Sequence, residues 1–250
     1  MEFTFNAYVK LIELLKKNEY QFCGFNEQPK GSFVIFRHDI DFSPAKAFDI
    51  ALIEQSVNVK STYFVLLRTD FYNVFSRQVI KIIRDIQKMG HSIGLHFDER
   101  EISPENWSNQ ILREAAILSD ALELPIKSVS MHCPSPEILN TDLQISDIVN
   151  SYSHYFMREC KYLSDSRHNW REDPLAAISS GKYPHMQILT HPFWYSETES
   201  SLKDAICKFC LEASYERYLN VKDNIRDLEN DLSEKYFKSI INNKTGGMSL

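Results

Sequence analysis

No stretch of this chain approaches the roughly 18 consecutive apolar residues that a membrane-spanning helix needs, so membrane insertion is not expected. The opening residues, "MEFTFNAYVKLIELLKK", follow an amphipathic helical pattern. They lack the uninterrupted apolar core and small-residue cleavage site of a signal peptide. A cytoplasmic location is the expectation. Basic clusters are missing too: net charge is −6 with no Lys/Arg run, which argues against nucleic acid as a partner. Cysteine is sparse and odd in number, five in 250 residues, which without a secretion signal predicts reduced thiols. Cys207 and Cys210 form a lone C-x-x-C inside a helical pattern. A zinc site would need a second such pair and a redox site a βα context, so helix packing is expected of it. There is no G-x-G-x-x-G, no repeat and no low-complexity segment.

What the chain does have is alternation of short apolar runs with helical patterns. "SFVIF" (32–36), "STYFVLL" (61–67), "HSIGLHF" (91–97), "KSVSMH" (127–132) and "HMQILTH" (185–191) read as strands. Between them lie helical segments at 43–55, 76–90 and 103–124. The first is announced by Ser43 as cap with Pro44 behind it, and the second is closed by Gly90. A further helix begins near Ser135, and less regular structure runs to about 170. Two helical patterns, near 199–219 and 221–241, follow the last strand and are expected on the outside of the same domain, which spans 1–250 with its core at about 32–195. Strands alternating with helices predict an α/β fold with a parallel sheet, and five strands without a dinucleotide fingerprint favour an incomplete or distorted β/α barrel.

Polar residues collect where such a barrel builds its site, at the carboxyl ends of strands. Asp39 and Asp41 follow the first strand, His96 and Asp98 end the third, His132 ends the fourth and His191 the last. Alternation along a strand sorts neighbours by face. Phe33, Ile35, Arg37, Asp39 and Asp41 share one face, and His38 falls on the other with Val34, Phe36 and Ile40. His96 shares a face with Ser92, Gly94 and Asp98, and His132 with Ser128 and Ser130. The converging set is Asp39, Asp41, His96, His132 and His191. Taken alone, the two aspartates could instead cap the helix at Pro44, and His91, His154, His168 and His185 read as structural.

"FRHDIDFSP", "GHSIGLHFD", "YLSDSRHNW" and "ILTHPFWY", in this order, resemble the polysaccharide deacetylase (NodB-homology) superfamily, most of all its cytoplasmic carbohydrate-cluster branch. The resemblance covers about residues 32–195. It implies a distorted (β/α)7 barrel, a divalent metal, usually zinc, held by one Asp and two His, and hydrolytic removal of an acetyl group from a sugar, in a setting such as surface-polysaccharide assembly. In the family's first motif two adjacent aspartates supply base and ligand. Here Ile40 separates them, which suggests Asp39 as base and Asp41 as ligand and leaves the exchange of roles open. In the second motif His96 matches the first histidine, but Arg100 stands where the second ligand belongs, and His132 is the expected replacement. "SDSRHNW" resembles the fourth motif, whose aspartate positions an active-site arginine, making Asp165 and Trp170 the matches. His191 matches the catalytic histidine. The third-motif arginine is absent, leaving its role to Arg37, Arg167 or Arg171. Trp170, Arg171 and Trp194 are the expected sugar contacts, alongside Phe193 and Tyr195.

Asp plus two His suits Zn²⁺ with open positions for water. On this reading Asp39 takes the attacking water's proton, and His191 protonates the leaving group. The departures from the family pattern keep two alternatives open: an inactive barrel that binds a sugar or nucleotide-sugar, and a hydrolase of a non-sugar C–N bond. A glycosidase with paired carboxylates would leave the histidines without a role. Oligomeric state is open.

Overall fold

All eight residues of the strand Phe33–Ile40 are buried in the computed structural model, which describes residues 1–27 and 29–244. A strand buried on both faces belongs to a parallel sheet covered by helices. The strands are β1 (Gln21–Phe22), β2 (Phe33–Ile40), β3 (Thr62–Leu66), β4 (Ser92–Asp98), β5 (Ser128–His132), β6 (Val149–Asn150), β7 (Lys161–Ser164) and β8 (His185–Thr190). All their pairings are parallel, in the order β6-β5-β4-β3-β2-β8-β7, with β1 beside the start of β2. The sheet curls into a half-barrel of seven strands surrounded by helices, in keeping with a distorted (β/α)7 barrel.

Local signals explain the helices. Ser43 accepts a hydrogen bond from the Lys46 amide at the start of α2 (Pro44–Ser56), and Ser76 does the same for Val79 in α3 (Arg77–Lys88). Gly90, at φ +97°, turns the chain out of α3 into β4. Helix α1 (Phe5–Lys17) buries Tyr8, Leu11, Ile12 and Leu15, the stripe its opening pattern predicts. After α4 (Trp107–Leu122), the short α5 (Pro136–Asn140) is the helix expected near Ser135, and α6 (Pro174–Ser179) follows the region read as irregular.

Strands β6 and β7 were not legible in the sequence. They are two and four residues long, too short to show alternation. They form the two edges of the sheet, and the segment between them crosses from one edge to the other. That crossing carries Ser151, Tyr152 and Phe156, whose side chains fill the barrel's interior. Phe156 joins Cys23, Phe25, Phe33, Ile35, Phe64 and Cys160 in an apolar plug on the inner face. Gly94 is required there: a Cβ on it would stand 2.5 Å from the Phe64 ring and 2.7 Å from Ser128 Oγ. The two faces of β2 thus separate as alternation predicts. Phe33 and Ile35 enter the plug, and outward-facing Phe36 and His38 lie beside Tyr8 of α1.

By its contacts the chain divides at Thr198 into two units. The second begins at Glu199 and holds α7 (Leu202–Asn224), α8 (Leu228–Asp231) and α9 (Glu234–Lys244). The break expected near residue 220 comes later, because nothing in 202–224 stops a helix; Asp227, at φ +63°, lies in the linker to α8. Tyr218 stacks on Phe237 at 4.7 Å, and Tyr215 donates to Glu234 at 2.6 Å, tying α7 to α9. Among the described residues no helix is long and apolar enough to cross a membrane.

Candidate active site

Above the apolar plug, the inner face of β2 changes from Phe33 and Ile35 to Arg37 and Asp39. Burying an arginine completely is costly unless its charge and donors are met. Arg37 is fully buried; its charge and both terminal nitrogens are met, while its Nε has no hydrogen-bond partner. Its Nη2 donates to Asp39 Oδ2 at 2.9 Å and to Tyr152 at 3.0 Å, and its Nη1 to Ser151 at 2.9 Å and Gln187 at 3.3 Å. The Tyr152 ring lies 4.6 Å from the guanidinium carbon, in cation–π range. Ser130 adds a donor to Asp39 at 3.2 Å. Burial alone would raise the Asp39 pKa, but the Arg37 guanidinium and the imidazoles of His96 and His191 outweigh it and hold the carboxyl below its ordinary range. Arg37 therefore positions and ionises Asp39 from below; it lies outside the walls of the cavity and is not placed to meet a reacting atom itself.

Asp41, His96 and His132 come together one step further along the barrel axis. One donor atom from each lies within 4.8 Å of the others. Asp41 Oδ1 is 3.1 Å from His96 Nε2 and 3.3 Å from His132 Nδ1, and the two nitrogens are 3.1 Å apart. Ligands about 2.0–2.1 Å from a tetrahedral zinc stand roughly 3.3 Å from one another, so the triangle has the dimensions of three corners of such a site. Asp41 Oδ1 is also buried with no hydrogen bond of ordinary geometry. Against the effect of burial, His132 and His96 hold the Asp41 carboxyl well below the usual range, so it stays anionic. The donor set and its charge fit a divalent cation, with Asp41, His96 and His132 as its holders. Arg100, at the expected second-ligand position of the family pattern, instead grips Asp98 of its own strand end.

His191 stands on the other side of Asp41, its Nε2 3.7 Å from Asp41 Oδ2. Its Nδ1 donates to Asp165 Oδ1 at 2.6 Å, and its backbone amide donates to the same carboxylate at 3.0 Å. Asp165 thus fixes a histidine, not the arginine that the resemblance implied. The difference follows from register: β7 pairs directly with β8, which sets Asp165 against the end of β8, where His191 follows. Burial would discharge the ring, but Asp165 prevails and pushes the His191 pKa up to about 9. The proton-bearing Nε2 faces the cavity side.

The cavity has a volume of about 890 Å³ and is lined by Asp39, Asp41, His96, His132 and His191. Trp194 and Arg171 also line it, as the sequence suggests, together with Arg167. Trp170 does not. Arg167 and His168 both adopt left-handed backbone, φ +62° and +56°, which breaks the extended alternation of this loop; the Trp170 indole nitrogen is buried in the protein instead. Phe193 and Tyr195 are buried and also absent from the walls, whereas Phe42, inside the first quoted motif but given no role there, and Phe71, outside every motif, are present. Ser130 was legible as a face-mate of His132. The contributions of Ser151, Tyr152 and Gln187 had no local signal.

No family model matches the chain, and no curated protein matches it. The solved structures it resembles include family 4 carbohydrate esterases. A family 4 pseudoenzyme from Bacillus anthracis is 16% identical with a TM-score of 0.45, over 74% of this chain and 63% of that one. A peptidoglycan deacetylase from Bacillus subtilis is 12% identical with a TM-score of 0.44, over 87% of each chain. A family 4 carbohydrate esterase from Bacillus anthracis is 15% identical with a TM-score of 0.41, over 80% of this chain and 82% of that one. This chain thus spans less than two thirds of the length of the first of these.

Proposed function

We propose that this protein is a metal-dependent hydrolase that removes an acetyl group from an amino sugar or sugar precursor. The observation that carries the reading is the donor triangle of Asp41, His96 and His132, set between a carboxylate fixed by Arg37 and an imidazole fixed by Asp165. A divalent metal in that triangle, zinc being the best match to its donors, would lower the pKa of a water to about 7 and polarise the acyl oxygen.

The protein's own groups then divide the proton transfers. Asp39, ionised by Arg37 and close to the triangle (its Oδ2 is 3.8 Å from His96 Nε2), accepts the proton of the attacking water. His191, held protonated by Asp165, gives its Nε2 proton to the leaving amine, so that acetate and the free amino sugar are the products. The separation of the two environments assigns the roles: the carboxyl below its ordinary pKa is the base, and the imidazole above its ordinary pKa is the acid. Trp194 and Phe71 supply apolar wall for a sugar ring.

The test is metal content together with acetate release. Purified protein supplied with zinc should hold about one ion per chain and release acetate from at least one N-acetylated sugar. The His96→Ala and His132→Ala variants should do neither. Protein that takes up no divalent metal, or whose acetate release survives loss of both imidazoles, would overturn the reading.

A further inference from the structure

Four arginines line the cavity: Arg68, Arg100, Arg167 and Arg171. Two are neutralised by neighbouring carboxylates. Arg68 Nε lies 3.2 Å from Glu114 Oε1, and Arg100 is clamped on Asp98. Arg167 and Arg171 are different. Both sit on the loop between β7 and α6, both are exposed, and among the described residues neither has an ion-pair or hydrogen-bond partner. The acids of that loop are engaged elsewhere: Asp165 on His191, Glu172 on Lys161, and Asp173 on the amide of Leu175 at the start of α6. The remaining carboxylate of the walls outside the catalytic set, Asp70, lies on the loop after β3, with β2 and β8 between it and β7. Arg167 is moreover held at φ +62° beside His168 at +56°, a backbone that non-glycine residues rarely adopt and that tends to persist where it serves a site.

Two free guanidiniums on one cavity wall, in a chain of net charge −6, are the groups that recognise an oxyanion. A volume of about 890 Å³ stands near the upper end of the usual 300–1,000 Å³ for small-molecule sites, which leaves room for a substituent beside a sugar ring. We propose that the acetylated substrate carries an oxyanionic group, phosphate or carboxylate, and that Arg167 and Arg171 bind it while the acetyl group lies at the metal triangle. This rests on the hydrolase reading above and adds to it the substrate's charge.

The experiment has a binding arm and a turnover arm. Zinc-loaded protein is titrated calorimetrically with glucose 1-phosphate, UDP, glucuronate and uncharged glucose. At least one anionic probe should bind well above glucose. Each of Arg167→Ala and Arg171→Ala should weaken it by roughly ten- to a hundredfold, as expected for a hydrogen bond to a charged group. The His132→Ala variant should keep the binding. Phosphate and carboxylate probes separate the two sources of the anion. Binding that survives the Arg167→Ala/Arg171→Ala double variant but vanishes in His132→Ala would place the anion on the metal and overturn the proposal. So would equal affinity for charged and neutral probes. In the turnover arm, the double variant should lose at least about tenfold more kcat/KM on N-acetylglucosamine 1-phosphate, UDP-N-acetylglucosamine or an N-acetylated uronate than on neutral N-acetylglucosamine. Equal loss on charged and neutral substrates would also overturn it. Because the binding arm needs no turnover, a protein that binds the anion through these arginines yet releases no acetate would refute the hydrolase reading and leave the anion site standing.

Discussion

Strand β2 carries two polar clusters back to back, one on each face. On the inner face Arg37, Asp39 and Asp41 lead to the cavity. On the outer face His38 meets Glu54 of α2 at 3.0 Å and Thr190 at 2.7 Å. Glu54 also accepts from Tyr8 at 2.7 Å, Tyr63 at 2.6 Å and Ser61. Both clusters contain histidine and carboxylate; His38 and Glu54 are fully buried, whereas Asp41 and His132 are half-buried. They differ in closure. The outer carboxylate is saturated with donors, while inside, the facing atoms of Asp41, His96 and His132 converge beside an open cavity. Residue type does not separate the two clusters; unmet bonding capacity beside a cavity does.

The comparison breaks most sharply at the triangle. Asp41→Asn should strip the metal and abolish activity, measured by metal content and acetate release, and leave unfolding little changed. Next, Asp39→Asn should keep the metal and lose roughly 10²–10⁴-fold in kcat, the range of positioned acid–base groups; if Asp39→Asn instead loses the metal while Asp41→Asn keeps it, the two aspartates have exchanged roles.

The outer cluster should answer in stability. Glu54→Ala leaves Tyr8, His38, Ser61 and Tyr63 without their shared acceptor and should cost about 3–5 kcal/mol in denaturant unfolding. Metal content per folded molecule should be unchanged. Burial would raise the Glu54 carboxyl's pKa, but His38 outweighs it and draws it down to about 2. A depressed carboxylate stabilises above its unfolded pKa and loses that contribution as pH falls. Wild-type stability should therefore drop between about pH 4.5 and 2, and Glu54→Gln should flatten that part of the curve. Smallest is Asp165→Asn. His191 holds its proton up to about pH 9 through Asp165, so the alkaline limb of kcat/KM should move to lower pH in this variant. A limb that stays in place would remove His191 as the acid.

The half-barrel and much of the candidate site were legible in the sequence. Ser43 with Pro44, the period-two pattern of 33–41 and the His or Asp at four strand ends are local signals, and the expected strands all formed. Trp170 misled because two left-handed residues redirect its loop, and nothing in "SDSRHNW" announces them. Strands β6 and β7 escaped because they exist only through pairing with longer neighbours.

By itself, the amino-acid order determined which side chains share a face, since that follows from backbone geometry repeated every second residue. It determined that charges stand where the strands end. Only the folded chain decided that Arg37 serves Asp39 and that Asp165 serves His191. These are distances between segments far apart in the chain, set by the curl and register of the whole sheet, and no local pattern encodes them.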